Sequence, residues 1–345
     1  MTLEMFDLLS FGYEFVVVTL ITYFAAMFLA RYASAMKLIA HPGEHRQHAQ
    51  ATPMVGGIAI SVGLSFGILV FASVYISILP ALLLLCTVGA IDDRYNLSSS
   101  VRFLAQGLAI YLMVSMTDVE LHTLGNIVPD STVYLGSWSL VMTIFASIGV
   151  INAVNMSDGH DGLAGSLILV VLLSLLLSGV DPLLIIICIA TLVGFLILNL
   201  RAFRARAKVF MGDAGSTMLG LLLAYLLIQE SQSNDGIRPV TALWLLALPL
   251  IDAVAVLLVR PLRGRSPFTA DRIHYHHQLV DRGVSVNTTV AVAVFIQSVL
   301  AAVGIWAWKL KVPDHLQLTA FLILFACYFA SLIWFTRDKL SKSMS

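Results

Sequence analysis

Four short clusters hold the residue types that can do chemistry. The first, Ile91-Asp92-Asp93-Arg94-Tyr95-Asn96, sets two carboxylates side by side at the end of an apolar run. Like charges repel and are costly near lipid, and a divalent cation or a cationic substrate relieves both. A solvated helix terminus balanced by Arg94 and Arg102 is the plainer alternative. The second cluster runs from Asn152 through Asn155, Asp158, His160 and Asp161 to Gly165. Asp158 and Asp161 are three apart, so a helical turn places both on one face. Two Asn, two Asp and a His are ligands of the hard-cation type, and the glycines permit close approach of a ligand. A polar turn between helices explains the glycines but not this density of polar side chains.

In the third cluster, Val209-Phe210-Met211-Gly212-Asp213-Ala214-Gly215-Ser216-Thr217, Asp213 falls at a helix start. An N-cap role is one reading of it. A helix N-terminus with Gly and Ser is also a seat for phosphate. Nearby Arg201, Arg204, Arg206 and Lys208 reflect orientation or meet anionic lipid heads. The fourth cluster gathers Arg260, Arg263, Arg265, Arg272, His274, His276 and His277 within one loop. Arg forks grip phosphate oxygens in bidentate geometry. The His-x-His-His run is also a zinc pattern, but no Cys is near and the other clusters are carboxylates. Asp252 lies about two helical turns before Arg260 and either supports this site or bonds across helices. Carboxylates and Asn for Mg²⁺, with Arg and His for phosphates, point to phosphoryl transfer.

Membrane helices must position these clusters. Of the 345 residues, 59% are apolar and 12% charged, too apolar for a soluble enzyme. Lys+Arg and Asp+Glu both number 20, which excludes an extended nucleic-acid-binding surface. Cys86, Cys188 and Cys327 lie in apolar runs with no metal or disulfide spacing. The acidic start Met1–Asp7 does not read as a signal peptide. We read an all-α polytopic membrane protein with a single transmembrane domain over 1–345. Its eleven apolar runs lie near 12–30, 54–72, 74–91, 101–116, 136–154, 162–178, 182–200, 214–229, 240–259, 289–309 and 316–336. One side of this threading holds the loops 31–53, 92–100, 155–161, 201–213 and 260–288. Counting Arg102 and the tail, it carries 17 of the 20 Lys/Arg. The positive-inside rule makes that side cytoplasmic, the N-terminus external and the C-terminus cytoplasmic. The clusters therefore share one membrane face, suited to one water-soluble and one membrane-embedded reactant. A cation-coupled transporter would need carboxylates deep in its spans, where only Asp252 lies. A nonenzymatic lipid-binding scaffold would not need paired carboxylates at all.

In this order the clusters resemble the polyprenyl-phosphate N-acetylhexosamine-1-phosphate transferase family. Asp92-Asp93 resembles its aspartate pair, and Asn155-Met-Ser-Asp-Gly-His-Asp-Gly-Leu its Asn-x-x-Asp-Gly-x-Asp-Gly-Leu signature. Phe210-Met-Gly-Asp-Ala-Gly-Ser and Thr52-Pro53-Met-Val-Gly56-Gly57 match as well. Asp271-Arg-Ile-His-Tyr-His-His is similar to the branch that starts O-antigen and enterobacterial common antigen, rather than the peptidoglycan branch. Asn96 stands where that branch often has a third Asp. The resemblance implies transfer of N-acetylglucosamine 1-phosphate from UDP-N-acetylglucosamine to undecaprenyl phosphate, with release of UMP. The setting it implies is the cytoplasmic face of a bacterial inner membrane. It also implies Mg²⁺, or Mn²⁺, on Asp213 and Asn155, with Asp92 and Asp93 beside the metal and Asp92 as proton acceptor. Asp158 and Asp161 would shape the nucleotide site. Arg260, Arg272 and His274 would hold phosphates, with His276, His277, Asn152 and Gly212 in support. The sugar donor, a homodimer and the number of metal ions stay open at this point, and a muramoyl-pentapeptide or another UDP-N-acetylhexosamine is the rival donor.

Overall fold

A computed structural model describes residues 12–40, 51–201, 206–267, 269 and 271–343, with side chains through 335. Arg204, the histidines at 41, 45 and 48, Phe268 and the acidic N-terminal segment lie outside the described residues. In chain order the elements are α1 (Gly12–Met36), β1 (Ile39–Ala40), β2 (Thr52–Pro53), α2 (Gly56–Phe71), α3 (Leu79–Tyr95), α4 (Ser99–Thr117), α5 (Ser139–Ser157), α6 (Leu163–Leu177), α7 (Pro182–Asn199), α8 (Gly212–Ser231), α9 (Pro239–Leu245), α10 (Ala247–Leu262), α11 (Tyr275–Asp281), α12 (Val286–Lys309) and α13 (Asp314–Ser343). Helix dominates because apolar surroundings offer the backbone no partners, and an α-helix satisfies its own N–H and C=O groups. β1 and β2 form one antiparallel pair of two residues each.

All eleven apolar runs contain helix. Among the described residues, eight helices are long and apolar enough to cross a bilayer, counting the 3-10 turn Ser73–Ile78 with α3. This is a multi-pass membrane protein. Two runs, near 54–72 and 162–178, form the shorter helices α2 and α6, of 16 and 15 residues. The run 240–259, expected as one span, is broken: α9 and α10 meet at 85°. Leu246 leaves helical geometry between them (φ −117°, ψ 22°). Buried Gln297 of α12 bridges the break. Its Oε1 accepts from the Leu248 N–H at 2.8 Å, and its Nε2 donates to the Leu245 carbonyl at 2.6 Å. Gln297→Leu leaves both groups unpaired, each at a cost of about 1–3 kcal/mol. The expected result is a lower melting temperature in detergent.

Helix α8 is buried almost all round and packs on α2, α3 and α5. Small residues permit this close approach. A Cβ on Gly57 of α2 would lie 2.1 Å from the Gly215 nitrogen, and one on Gly89 of α3 would lie 2.5 Å from the Ala214 Cα. The segment ahead of α8 is pinned as well. Phe210 N–H donates to the Pro53 carbonyl at 2.8 Å, and the Gly56 and Gly57 N–H groups donate to Phe210 and Met211 carbonyls at 2.9 Å. Two of the four clusters are thereby locked onto one crossing.

Candidate active site

Helices carry the carboxylates more rigidly than loops would. Asp92 and Asp93 sit in the last turn of α3, and Asn155 in the last turn of α5, where loops 92–100 and 155–161 were expected. Asn96 ends α3 in the left-handed region (φ 51°), a conformation that short polar side chains tolerate. This gives a conformational reason for Asn at that position.

Asp213 lies in the first turn of α8 and is not its cap. The capping acceptor comes from another helix. Asp93 Oδ1 accepts from the Asp213 N–H at 2.9 Å and Oδ2 from the Ala214 N–H at 3.2 Å. The phosphate seat expected at this helix start is therefore already filled by a side-chain anion, for the reason a phosphate would bind there. Gly212 is required at this junction. It adopts φ +69°, and a Cβ would lie 2.5 Å from Asp93 Oδ2.

The Asp213 side chain is left to face α5 and α3. Its Oδ1 accepts from Asn155 Nδ2 at 2.6 Å, while that amide also donates to Ser216 Oγ at 2.9 Å. Buried Asp92 accepts from the Leu97 N–H at 2.6 Å and meets Arg102 at 3.4 Å. Its carboxyl is also within hydrogen-bonding reach of the Asp213 carboxyl. Two carboxyls this close need a shared proton or a cation between them. With the Asn155 amide turned so that its oxygen faces them, they make an oxygen-rich donor set of the kind a hard dication takes. The residues thus fit a magnesium-type ion.

The second cluster departs from expectation. Asp158 and Asp161 do not share a helical face, because α5 ends at Ser157 and the chain turns through Gly162 (φ +80°) before α6. Asp161 is buried, held by Arg201 Nε at 2.6 Å and the Ala207 N–H at 3.0 Å. It braces the segment that leads to α8. Asn152 donates to Gln106 Oε1 at 3.0 Å. Gln106 was missed by sequence reasoning, though a polar residue inside an apolar run is its signal.

In the arginine–histidine loop, Arg260 is buried, its guanidinium forked onto Asp271 at 3.1 and 3.2 Å and onto the Pro267 carbonyl. Arg272 pairs with Asp281 at 2.7 Å. His274 Nδ1 donates to Asp252 Oδ2 at 2.7 Å, which fixes the direction of its other nitrogen. Asp252 also accepts from the Tyr275 N–H at 3.3 Å and from the Tyr328 hydroxyl of α13. It both supports the site and bonds across helices. His276 is fully buried and packs against His160, His274 and His277. Burial pushes His160 down, His276 well down, and His277 down to about 3; Arg272 adds to all three, and neighbouring imidazoles add to His276 and His277. These three rings are neutral at pH 7.

Asp92, Asn152, Asn155, Asp213 and Arg260 converge on the wall of one cavity of about 920 Å³. Among the described residues, Asp93, Asp158, Asp161, Gly212, Arg272, His274, His276 and His277 are not part of that wall. The rest of the wall is largely apolar. It follows α8 from Asp213 and Thr217 to Leu227 and Ser231, about 27 Å at 1.5 Å per residue. A polar head at one end and an apolar length of nearly one bilayer leaf-to-leaf distance suit a long lipid with a charged end.

The profile of glycosyl transferase family 4 matches residues 75–231, which include Asp92, Asn155 and Asp213. The chain is 34% identical over 334 residues to the undecaprenyl-phosphate alpha-N-acetylglucosaminyl 1-phosphate transferase of Yersinia pestis, covering 93% of this chain and 91% of that one. It is 33% identical to the protein of the same name from Escherichia coli K12, at the same coverage. With the Haemophilus influenzae one it shares 33% over 87% of this chain and 88% of that one. A likeness of this extent, over nearly the whole of both chains, shows that the chain belongs to glycosyl transferase family 4.

Proposed function

We propose that this protein transfers N-acetylglucosamine 1-phosphate from UDP-N-acetylglucosamine to undecaprenyl phosphate, releasing UMP and forming undecaprenyl-diphosphate-N-acetylglucosamine. In this reading it performs the first membrane step of O-antigen or enterobacterial common antigen synthesis. The observation that carries it is the convergence of Asp92, Asn155 and Asp213 at the head of an apolar cavity as long as α8. The names of the relatives support the donor and the acceptor. The topology is eleven spans in one domain, 1–345, in the bacterial inner membrane, with an external N-terminus and a cytoplasmic C-terminus. The asymmetry of Lys and Arg supports it.

The lipid phosphate lies at the polar head of the cavity and its chain along α8. Its oxygen attacks the β-phosphorus of the sugar nucleotide, and UMP leaves. Asp213 and Asn155 would hold Mg²⁺, with Asp92 beside it, and the ion would neutralise charge on the diphosphate. Asp92 accepts the proton of an acceptor phosphate that is still protonated. Asp93 holds the start of α8 so that Asp213 points inward. Asp158 and Asp161 shape the nucleotide side, Asp161 through its hold on Arg201. Arg272 and His274 contact phosphates, Arg260 joins them through the loop it braces, and His276 and His277 back them.

The test is UMP release by purified protein in detergent, with undecaprenyl phosphate and either UDP-N-acetylglucosamine or UDP-N-acetylmuramoyl-pentapeptide. Release with the first donor only, abolished by chelator and restored by Mg²⁺, is the expected result. Release with the second donor only would move the chain to the peptidoglycan branch.

A further inference from the structure

One group of side chains has no work in the reaction above that its burial explains. His160, His276 and His277 each offer a ring nitrogen, and these nitrogens lie within 4.8 Å of one another. The rings are 4.3 to 5.1 Å apart between centroids. His276 has no exposed surface, and among the described residues neither of its ring nitrogens has a hydrogen-bond partner. His277 Nδ1 is buried and, among the described residues, also without a partner. Unpartnered buried polar atoms carry an uncompensated desolvation cost.

We propose that His160, His276 and His277 bind a borderline transition-metal dication of the zinc class, which staples the turn after α5 to α11. Three features support it. A tetrahedral zinc site places its nitrogens about 3.3 Å apart, from bonds of about 2.05 Å, so small ring rotations close the cluster. His160 Nε2 lies 3.3 Å from the main-chain oxygen of His276. Its N–H donates there and Nδ1 keeps a lone pair, which is how a metal-binding imidazole is oriented by its other nitrogen. The cluster is walled in by protein around fully buried His276, and burial favours the neutral ring that ligates a metal over the protonated ring that an anion would need.

Imidazole donors select this class of metal, while the carboxylate and amide oxygens at Asp92, Asp213 and Asn155 select magnesium or manganese. The two sites therefore differ in chemistry. Arg272 and Arg201 are nearby cations, and their charges are balanced by Asp281 at 2.7 Å and Asp161 at 2.6 Å. Three protein ligands leave a fourth position open to water. The proposal stands whether or not the sugar donor is correctly assigned.

The experiment uses the full chain, purified in detergent on a tag free of histidine, stripped with chelator and titrated with Co²⁺ alone. The expected result is one Co²⁺ per chain with the visible bands of tetrahedral coordination. Zn²⁺ should displace it, and Mg²⁺ at the same concentration should not. His160→Ala and His277→Ala should each weaken Co²⁺ binding by about 10-fold or more, in samples that remain monodisperse. Asp213→Asn should leave the Co²⁺ spectrum unchanged even where it stops turnover. No visible bands in the wild-type protein would overturn the proposal, as would undiminished binding in His160→Ala. Loss of the bands in Asp213→Asn alone would place the ion at the carboxylates and overturn it too.

Discussion

Asp213→Asn is expected to lower turnover by about a thousand-fold or more, roughly 4 kcal/mol of barrier, without loss of folded protein. The fold should survive because the contact that starts α8 uses the main-chain N–H of Asp213, which donates to Asp93. The new amide oxygen can still accept from Asn155 Nδ2, as Asp213 Oδ1 does at 2.6 Å. What disappears is the negative charge facing Asp92 at the head of the cavity. UMP release and size-exclusion profiles measured on the same preparation check it. Retained activity would remove Asp213 from the reaction, and an aggregated sample would show that its charge is structural.

The second large effect is expected at His274. If His274 holds a phosphate as proposed, removing its buried hydrogen bond to that charged group costs about 1.5–3 kcal/mol, so His274→Ala should lower kcat/KM for the sugar nucleotide by about 10–100-fold. Added imidazole should restore part of the rate. Asp252→Asn should act in the same direction but less, because it weakens the bond that orients His274 and leaves the imidazole in place. Its positioning role predicts a fall in kcat that imidazole does not rescue. A near-normal rate in His274→Ala would make the histidine run purely structural.

Much of this arrangement is legible in the chain itself, because lipid imposes simple rules. Each apolar run is helical since the bilayer leaves the backbone no other choice. The family resemblance implied that Asp92, Asp213 and Asn155 lie together, and the structure brings them together. What local sequence could not show is which partner each polar group takes across helices. Asp93 lies 120 positions from the main-chain groups it caps, and no spacing rule covers that distance. Asp161 looked like a ligand but braces Arg201, because the turn through Gly162 aims it away from Asp158. The run near 240–259 is apolar throughout, so hydropathy reads it as continuous. The break becomes visible only through Gln297, a single amide on another helix that serves both broken backbone groups.

The cavity wall includes Phe145, Val254 and Leu258, each also exposed on the outside of the helix bundle. An acceptor lipid can then arrive sideways from the bilayer without its tail crossing water. Encounter becomes a two-dimensional search, governed by the lipid's mole fraction in the membrane or micelle rather than its bulk molarity. At constant total acceptor, extra detergent should slow the enzyme by surface dilution, whereas the water-soluble nucleotide should obey ordinary volume concentration.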